Sequence, residues 1–126
     1  MPFREQPMLY SADLHGCATV SRLSSDVISA AFISALERAG ATVVRTLAHD
    51  FPGTGLTCIA ILAESHAVLH TWPETGTVNL DIFSCSTALQ SRTAIAELGR
   101  SFGAVDVSVQ EIPRADGYGA RSARRP

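Results

Sequence analysis

From Glu64 to Glu74 the chain reads Glu64-Ser65-His66-Ala67-Val68-Leu69-His70-Thr71-Trp72-Pro73-Glu74, and Cys85 follows eleven residues later. Two histidines, two carboxylates, a serine and the only tryptophan share these eleven positions in an otherwise apolar, weakly charged chain. Such a set can move protons and rearrange its own backbone. The Ser65 hydroxyl can attack the carbonyl of the peptide bond before it, that of Glu64, and convert the amide to an ester. Removal of the serine α-proton then eliminates the upstream chain as a carboxylate and leaves dehydroalanine, which hydrolyses to a pyruvoyl group on the new N-terminus. The sequence needs a base, a proton donor and a group that steadies the oxyanion. His70 suits the proton steps, and the Thr57 hydroxyl suits the oxyanion. The same residues also read as a strand-end serine with surface histidines. Positions five apart in a regular strand face opposite sides, so a turn or bulge is expected between Ser65 and His70.

The elements that must carry these residues are legible from periodicity. Met8 to Leu14 suits a first strand. Ser24 or Ser25 caps a helix to about Ala39, with Ile28, Phe32, Ala35, Leu36 and Ala39 as its apolar stripe and Gly40 as its stop. Ala41 to Leu47 is β-branched and apolar and reads as a strand. His49 to Gly55 reads as a loop, broken by Pro52, Gly53 and Gly55. Leu56 to Ala63 is nearly continuous apolar sequence, the pattern of a central strand. Ala67 to Thr71 is a short strand, and Thr77 to Ser84 alternates as a half-buried one. Thr87 to Gln90 reads as a capping box opening a helix to about Phe102, stopped by Gly103. Ala104 to Ile112 closes the domain. The order predicts an α+β fold: a two-layer sandwich, its mainly antiparallel sheet covered by helices on one face. The other face needs a partner.

Composition narrows the function. The chain has 126 residues, 46% hydrophobic and 17% charged, and reads as one domain, 1–126. A net charge of −2 argues against a nucleic-acid binder. The basic run Arg121-Ser122-Ala123-Arg124-Arg125-Pro126 reads as part of a disordered tail, 115–126. No apolar run approaches the ~20 residues of a membrane span, and the N-terminus lacks a signal-peptide core. Cys17, Cys58 and Cys85 are odd in number with no CxxC pair, which points to a reducing cytoplasm and no metal site. All ten basic residues are arginine. Without lysine there is no Schiff-base anchor for pyridoxal phosphate, so a carbonyl for amine chemistry must come from elsewhere.

Glu64-Ser65-His66, then His70-Thr71-Trp72-Pro73-Glu74, then Asp81-Ile82-Phe83-Ser84-Cys85 resembles the signature of the short bacterial and archaeal S-adenosylmethionine decarboxylase proenzymes. Weaker likeness at Gly40-Ala41-Thr42-Val43-Val44 and His49-Asp50-Phe51 extends it over roughly Leu9 to Ile112. The resemblance implies cleavage between Glu64 and Ser65 into a β chain, 1–64, and an α chain, 65–126, that begins with a covalent pyruvoyl cofactor made from Ser65. It implies a homodimer of cleaved protomers that decarboxylates S-adenosylmethionine for spermidine synthesis in the cytoplasm. His70 matches the family's processing histidine, and Cys85 its catalytic proton donor. Thr57 stands for a processing hydroxyl that is usually serine. Glu74 matches a substrate-contacting carboxylate, and Phe51 an aromatic that stacks on adenine.

His66 is assigned no role by the resemblance. Trp72, His15 and Cys17 read as structural. The chain departs from the family at Gln6-Pro7-Met8-Leu9, where Gly-Arg/Lys-His is usual, and at Gly53 to Cys58. It departs again at Thr75, where an aromatic is common, and at Ser86, where glycine is common. These changes spare the processing set and fall near the substrate side, so arginine and ornithine stay as alternative substrates. A non-catalytic dimeric module is the alternative of another class.

Overall fold

The structure, a computed structural model, describes residues 6–115, so nearly all of the expected tail lies outside the described residues. Six strands form one sheet: β1 (Met8–His15), β2 (Val43–Phe51), β3 (Gly55–Leu62), β4 (Ser65–Trp72), β5 (Thr77–Ser84) and β6 (Asp106–Pro113). Their spatial order is β2-β3-β4-β5-β1-β6, and every pair is antiparallel. Helices α1 (Ser25–Arg38) and α2 (Ser91–Ser101) cover one face, as the two-layer α+β reading expects. No helix among the described residues is long and apolar enough to cross a membrane.

Alternation within each strand sorts residues between the faces. Leu56, Cys58, Ala60 and Leu62 of β3, with Ala67 and Leu69 of β4 and Val78, Leu80 and Ile82 of β5, are buried toward the helices. They meet Ile28, Phe32, Ala35 and Leu36 of α1 and Ala94, Ile95 and Leu98 of α2 in one core. Burial raises the thiols of Cys17 and Cys58 above the ordinary cysteine range, and Ser29 tempers this at Cys58. Both behave as small core hydrophobes.

α1 begins where expected: the Ser24 hydroxyl accepts from Val27 N at 3.2 Å. Gly40 ends it with φ 106°, and a Cβ there would meet Ala88 O at 2.1 Å.

Two boundaries differ from expectation. His49, Asp50 and Phe51 are not loop but the end of β2, paired to Thr57, Leu56 and Gly55. Only residues 52–54 turn, because the ladder satisfies the backbone up to the turn itself. The second helix starts at Ser91 rather than in a box at Thr87, and Gln90 caps it without a side-chain bond. The preceding segment is tied elsewhere: Gln90 N donates to Ala39 O at 2.8 Å, and Gln90 Nε2 to Thr87 O at 2.8 Å.

Gly55 opens β3 with φ 116°, and a Cβ there would lie 2.1 Å from Thr71 O. Gly55→Ala is therefore expected to cost about 3 kcal/mol from backbone strain and overpacking together, read as a lowered thermal midpoint.

Candidate active site

β4 carries both of its histidines on the sheet face that the helices leave open. Its buried positions are Ala67, Leu69 and Thr71, so His66, Val68, His70 and Trp72 share the open face. The strand pairs in unbroken register with β3 from Leu62↔Ser65 to Thr57↔His70, and with β5 from Ser65↔Ser84 to Trp72↔Thr77. The turn or bulge expected between Ser65 and His70 is absent. Pairing on both sides holds the strand extended, which separates the two residues by about 17 Å at the rise of a β-strand.

The expected site residues accordingly fall into two groups at opposite ends of β4. The first surrounds the Glu64–Ser65 bond. Cys85, just past β5, directs both its N–H and its thiol at the Glu64 carbonyl, at 3.5 and 3.6 Å. The Glu64 carboxylate accepts from Thr42 N at 3.2 Å, and Ala63 N donates to Thr42 O at 2.9 Å, so the chain before the bond is fixed. The Ser65 hydroxyl lies 3.1 Å from Nδ1 of His66, whose ring packs on Phe83 at a centroid distance of 5.4 Å. Two donors on a carbonyl and a hydroxyl beside it form an arrangement suited to acyl transfer.

The second group surrounds His70. Thr57, its partner across the β3–β4 ladder, bonds His70 Nδ1 through Oγ1 at 2.7 Å. Within the protomer Thr57 is thus brought to His70 rather than to the Glu64 carbonyl. The His70 ring stands edge-on to Trp72 at 4.5 Å and Phe51 at 6.0 Å, and Phe51 meets His49 at 4.6 Å. Nε2 of His70 is buried and without a partner among the described residues. Glu74 lies exposed in the turn joining β4 to β5. At the His70 end, Trp72 Nε1 donates to Asn79 at 2.6 Å, and Asn79 Nδ2 to Asp13 at 2.7 Å.

Sequence reasoning left out His66, His49 and Trp72 as site components. A period-of-two reading of β4 links positions 66, 70 and 72, but the approach of His49 needs the β2–β3 register.

The S-adenosylmethionine decarboxylase family model matches residues 8–115, a span that contains both groups. The chain belongs to this family. Among its relatives, the S-adenosylmethionine decarboxylase proenzyme of Acidithiobacillus ferrooxidans is 36% identical over 103 residues, covering 82% of this chain and 77% of the relative. The proenzyme of Methanococcus maripaludis (strain DSM 14266) is 30% identical over 102 residues, covering 81% and 84%. The crystal structure of the adenosylmethionine decarboxylase of Aquifex aeolicus superposes with a TM-score of 0.77 at 22% identity, covering 90% of this chain and 94% of that one. It shares the fold of this family member.

Proposed function

We propose that this chain cleaves itself between Glu64 and Ser65 and then decarboxylates S-adenosylmethionine, using a pyruvoyl group made from Ser65. The observation that carries the reading is the Glu64 carbonyl, held by the Cys85 N–H and thiol with the Ser65 hydroxyl on the adjoining residue. The proenzyme names of the relatives support cleavage, and a carbonyl made from the chain itself is consistent with the missing lysines.

Attack by Ser65 puts negative charge on the Glu64 oxygen, where the Cys85 N–H is already aimed. The residues around that bond therefore fit formation of the group. Once formed, it would supply an electrophilic carbonyl for the substrate amine and an electron sink for loss of carbon dioxide. Cys85, whose thiol meets the Glu64 carbonyl, returns a proton to the substrate carbon in this reading. The aromatic rings of Phe51 and Trp72 are 41% and 42% exposed and offer surfaces on which an adenine can stack. Glu74, exposed at that end of β4, suits the ribose hydroxyls or the cationic part of the substrate.

In this reading a second copy brings the two groups together. Within one protomer His70 stands about 17 Å along β4 from Ser65. On the open face Leu47 and Ile61 are exposed by 64% and 45%, alongside Phe51 and Trp72. Apolar side chains collected on one sheet face favour association. A two-fold axis passing near Ala67–Val68 sets Ser65 of one protomer against His70 of the partner subunit, and an isologous contact makes both sites at once. Nε2 is the ring atom of His70 left for proton transfer, since Nδ1 is bonded to Thr57. Its task in this reading is removal of the Ser65 α-proton during elimination.

The direct test is intact-mass analysis under denaturing conditions, followed by carbon dioxide release from S-adenosylmethionine, arginine and ornithine in parallel. Two fragments meeting at Glu64–Ser65, with release from S-adenosylmethionine, are expected. A chain that stays whole on long incubation ends the self-processing reading. A cleaved chain that releases carbon dioxide only from arginine or ornithine ends the substrate assignment.

A further inference from the structure

Outside the roles already given, the group nearest to a reacting atom is the His66 imidazole. Its Nδ1 stands 3.1 Å from Ser65 Oγ, hydrogen-bond distance from the atom that must lose a proton to attack Glu64. Neither of the hydroxyl's expected assistants reaches it within the protomer. His70 is at the far end of β4, and Thr57 is bonded to His70.

The His66 ring is also held in place. It lies on the open face, opposite Phe83 in the β4–β5 register, and packs on that ring at 40° between planes. Phe83 in turn is backed by the Arg114 guanidinium, 5.9 Å from its centroid. Within one protomer an open cleft of about 390 Å³ is bordered by His66, Val68, Asp81, Phe83 and Arg114.

We propose that His66 Nδ1 is the base for the first step of self-cleavage, the conversion of the Glu64–Ser65 amide to an ester. This rests on Glu64–Ser65 being the bond that breaks. With its own proton on Nε2, His66 accepts the Ser65 hydroxyl proton at Nδ1 as Oγ bonds to the Glu64 carbonyl carbon. The resulting oxyanion is held by Cys85. As the carbon–nitrogen bond breaks, the same proton passes from Nδ1 to the Ser65 nitrogen, which becomes a free amine. Nothing is gained or lost: the step is an isomerisation, and the electron pair of the broken bond stays on nitrogen. The two histidines thereby divide the work, His66 serving ester formation within the protomer and His70 of the partner subunit serving the elimination that follows.

The test follows cleavage of freshly made wild-type, His66→Ala and His66→Asn chains by intact mass, with hydroxylamine as a trap for the ester. Asn can keep a hydrogen bond to Ser65 but cannot take up its proton. Both variants are expected to cleave at least about 100-fold more slowly. They should yield no hydroxylamine-sensitive ester while uncut, and free imidazole should restore part of the rate in His66→Ala. Unchanged thermal melting would separate this effect from misfolding. Wild-type rates in either variant overturn the assignment, and so does a slow variant that accumulates ester or ignores imidazole. A wild-type chain that never cleaves instead overturns the self-processing reading on which the proposal stands.

Discussion

Ser65→Ala leaves the chain whole at its full 126 residues, with an ordinary melting transition and no decarboxylase activity. The effect is total because no neighbouring group can replace the lost nucleophile. Cys85 points its sulfur at the Glu64 oxygen and not along an attack path of its own, and Ser84 directs its hydroxyl to Ser86. The fold survives because Ser65 is only half-buried and its Oγ bonds only to a neighbouring side chain, His66. Intact mass and a thermal melt read both halves of the prediction. A Ser65→Ala chain still divided after residue 64 would move the scissile bond elsewhere.

His70→Ala is expected to stall cleavage as completely, but for a reason that mixing can expose. If His70 acts across a two-fold interface, a Ser65→Ala protomer retains the histidine that a His70→Ala protomer lacks. Mixing the two uncut proteins under conditions that exchange subunits should start cleavage, confined to the His70→Ala chain. Half of the sites in each mixed dimer join an intact Ser65 to an intact His70, and the other half lack both. Mass spectrometry tells the chains apart by their substitutions. Cleavage of His70→Ala alone at the wild-type rate would remove His70 from the mechanism. Two subunits that exchange but stay uncut would remove the shared site. Hydroxylamine adds a distinction: His70→Ala should stall as the ester, the stage after the one at which His66→Ala stalls.

Much of this was legible in the amino-acid order. The α1 stripe of Ile28, Phe32, Ala35 and Leu36 repeats at helical spacing, and the Ser24 cap and Gly40 stop bracket it. The alternation in Thr77 to Ser84 marks a strand with one buried face, and β5 has it. These are local signals, because a helix or half-buried strand writes its own period into the chain. The Glu64–Ser65 bond proposed to break was legible for a similar reason: the hydroxyl and the carbonyl it would attack are covalent neighbours. What misled was also local. Pro52 and two glycines made His49 to Gly55 look like loop, yet cross-strand pairing carried β2 through Phe51. Thr87 to Gln90 had the composition of a cap, but the bond from Gln90 N to the end of α1 outweighed it.

The sequence by itself determined the fold class and the family, and it pointed to the bond proposed to break and the residue types beside it. It did so because those depend on periodicity and on atoms joined through one or two bonds. Only the tertiary structure decided which of these residues meet. An unbroken β4 places His70 far from Ser65, gives Thr57 to His70, and leaves His66 within hydrogen-bond reach of Ser65. Cys85 reaches the Glu64 carbonyl because β4 and β5 pair antiparallel, so that the start of one strand lies beside the end of the other. Register is set by pairing between distant segments, and a spacing of five along the chain cannot say whether the strand between stays straight.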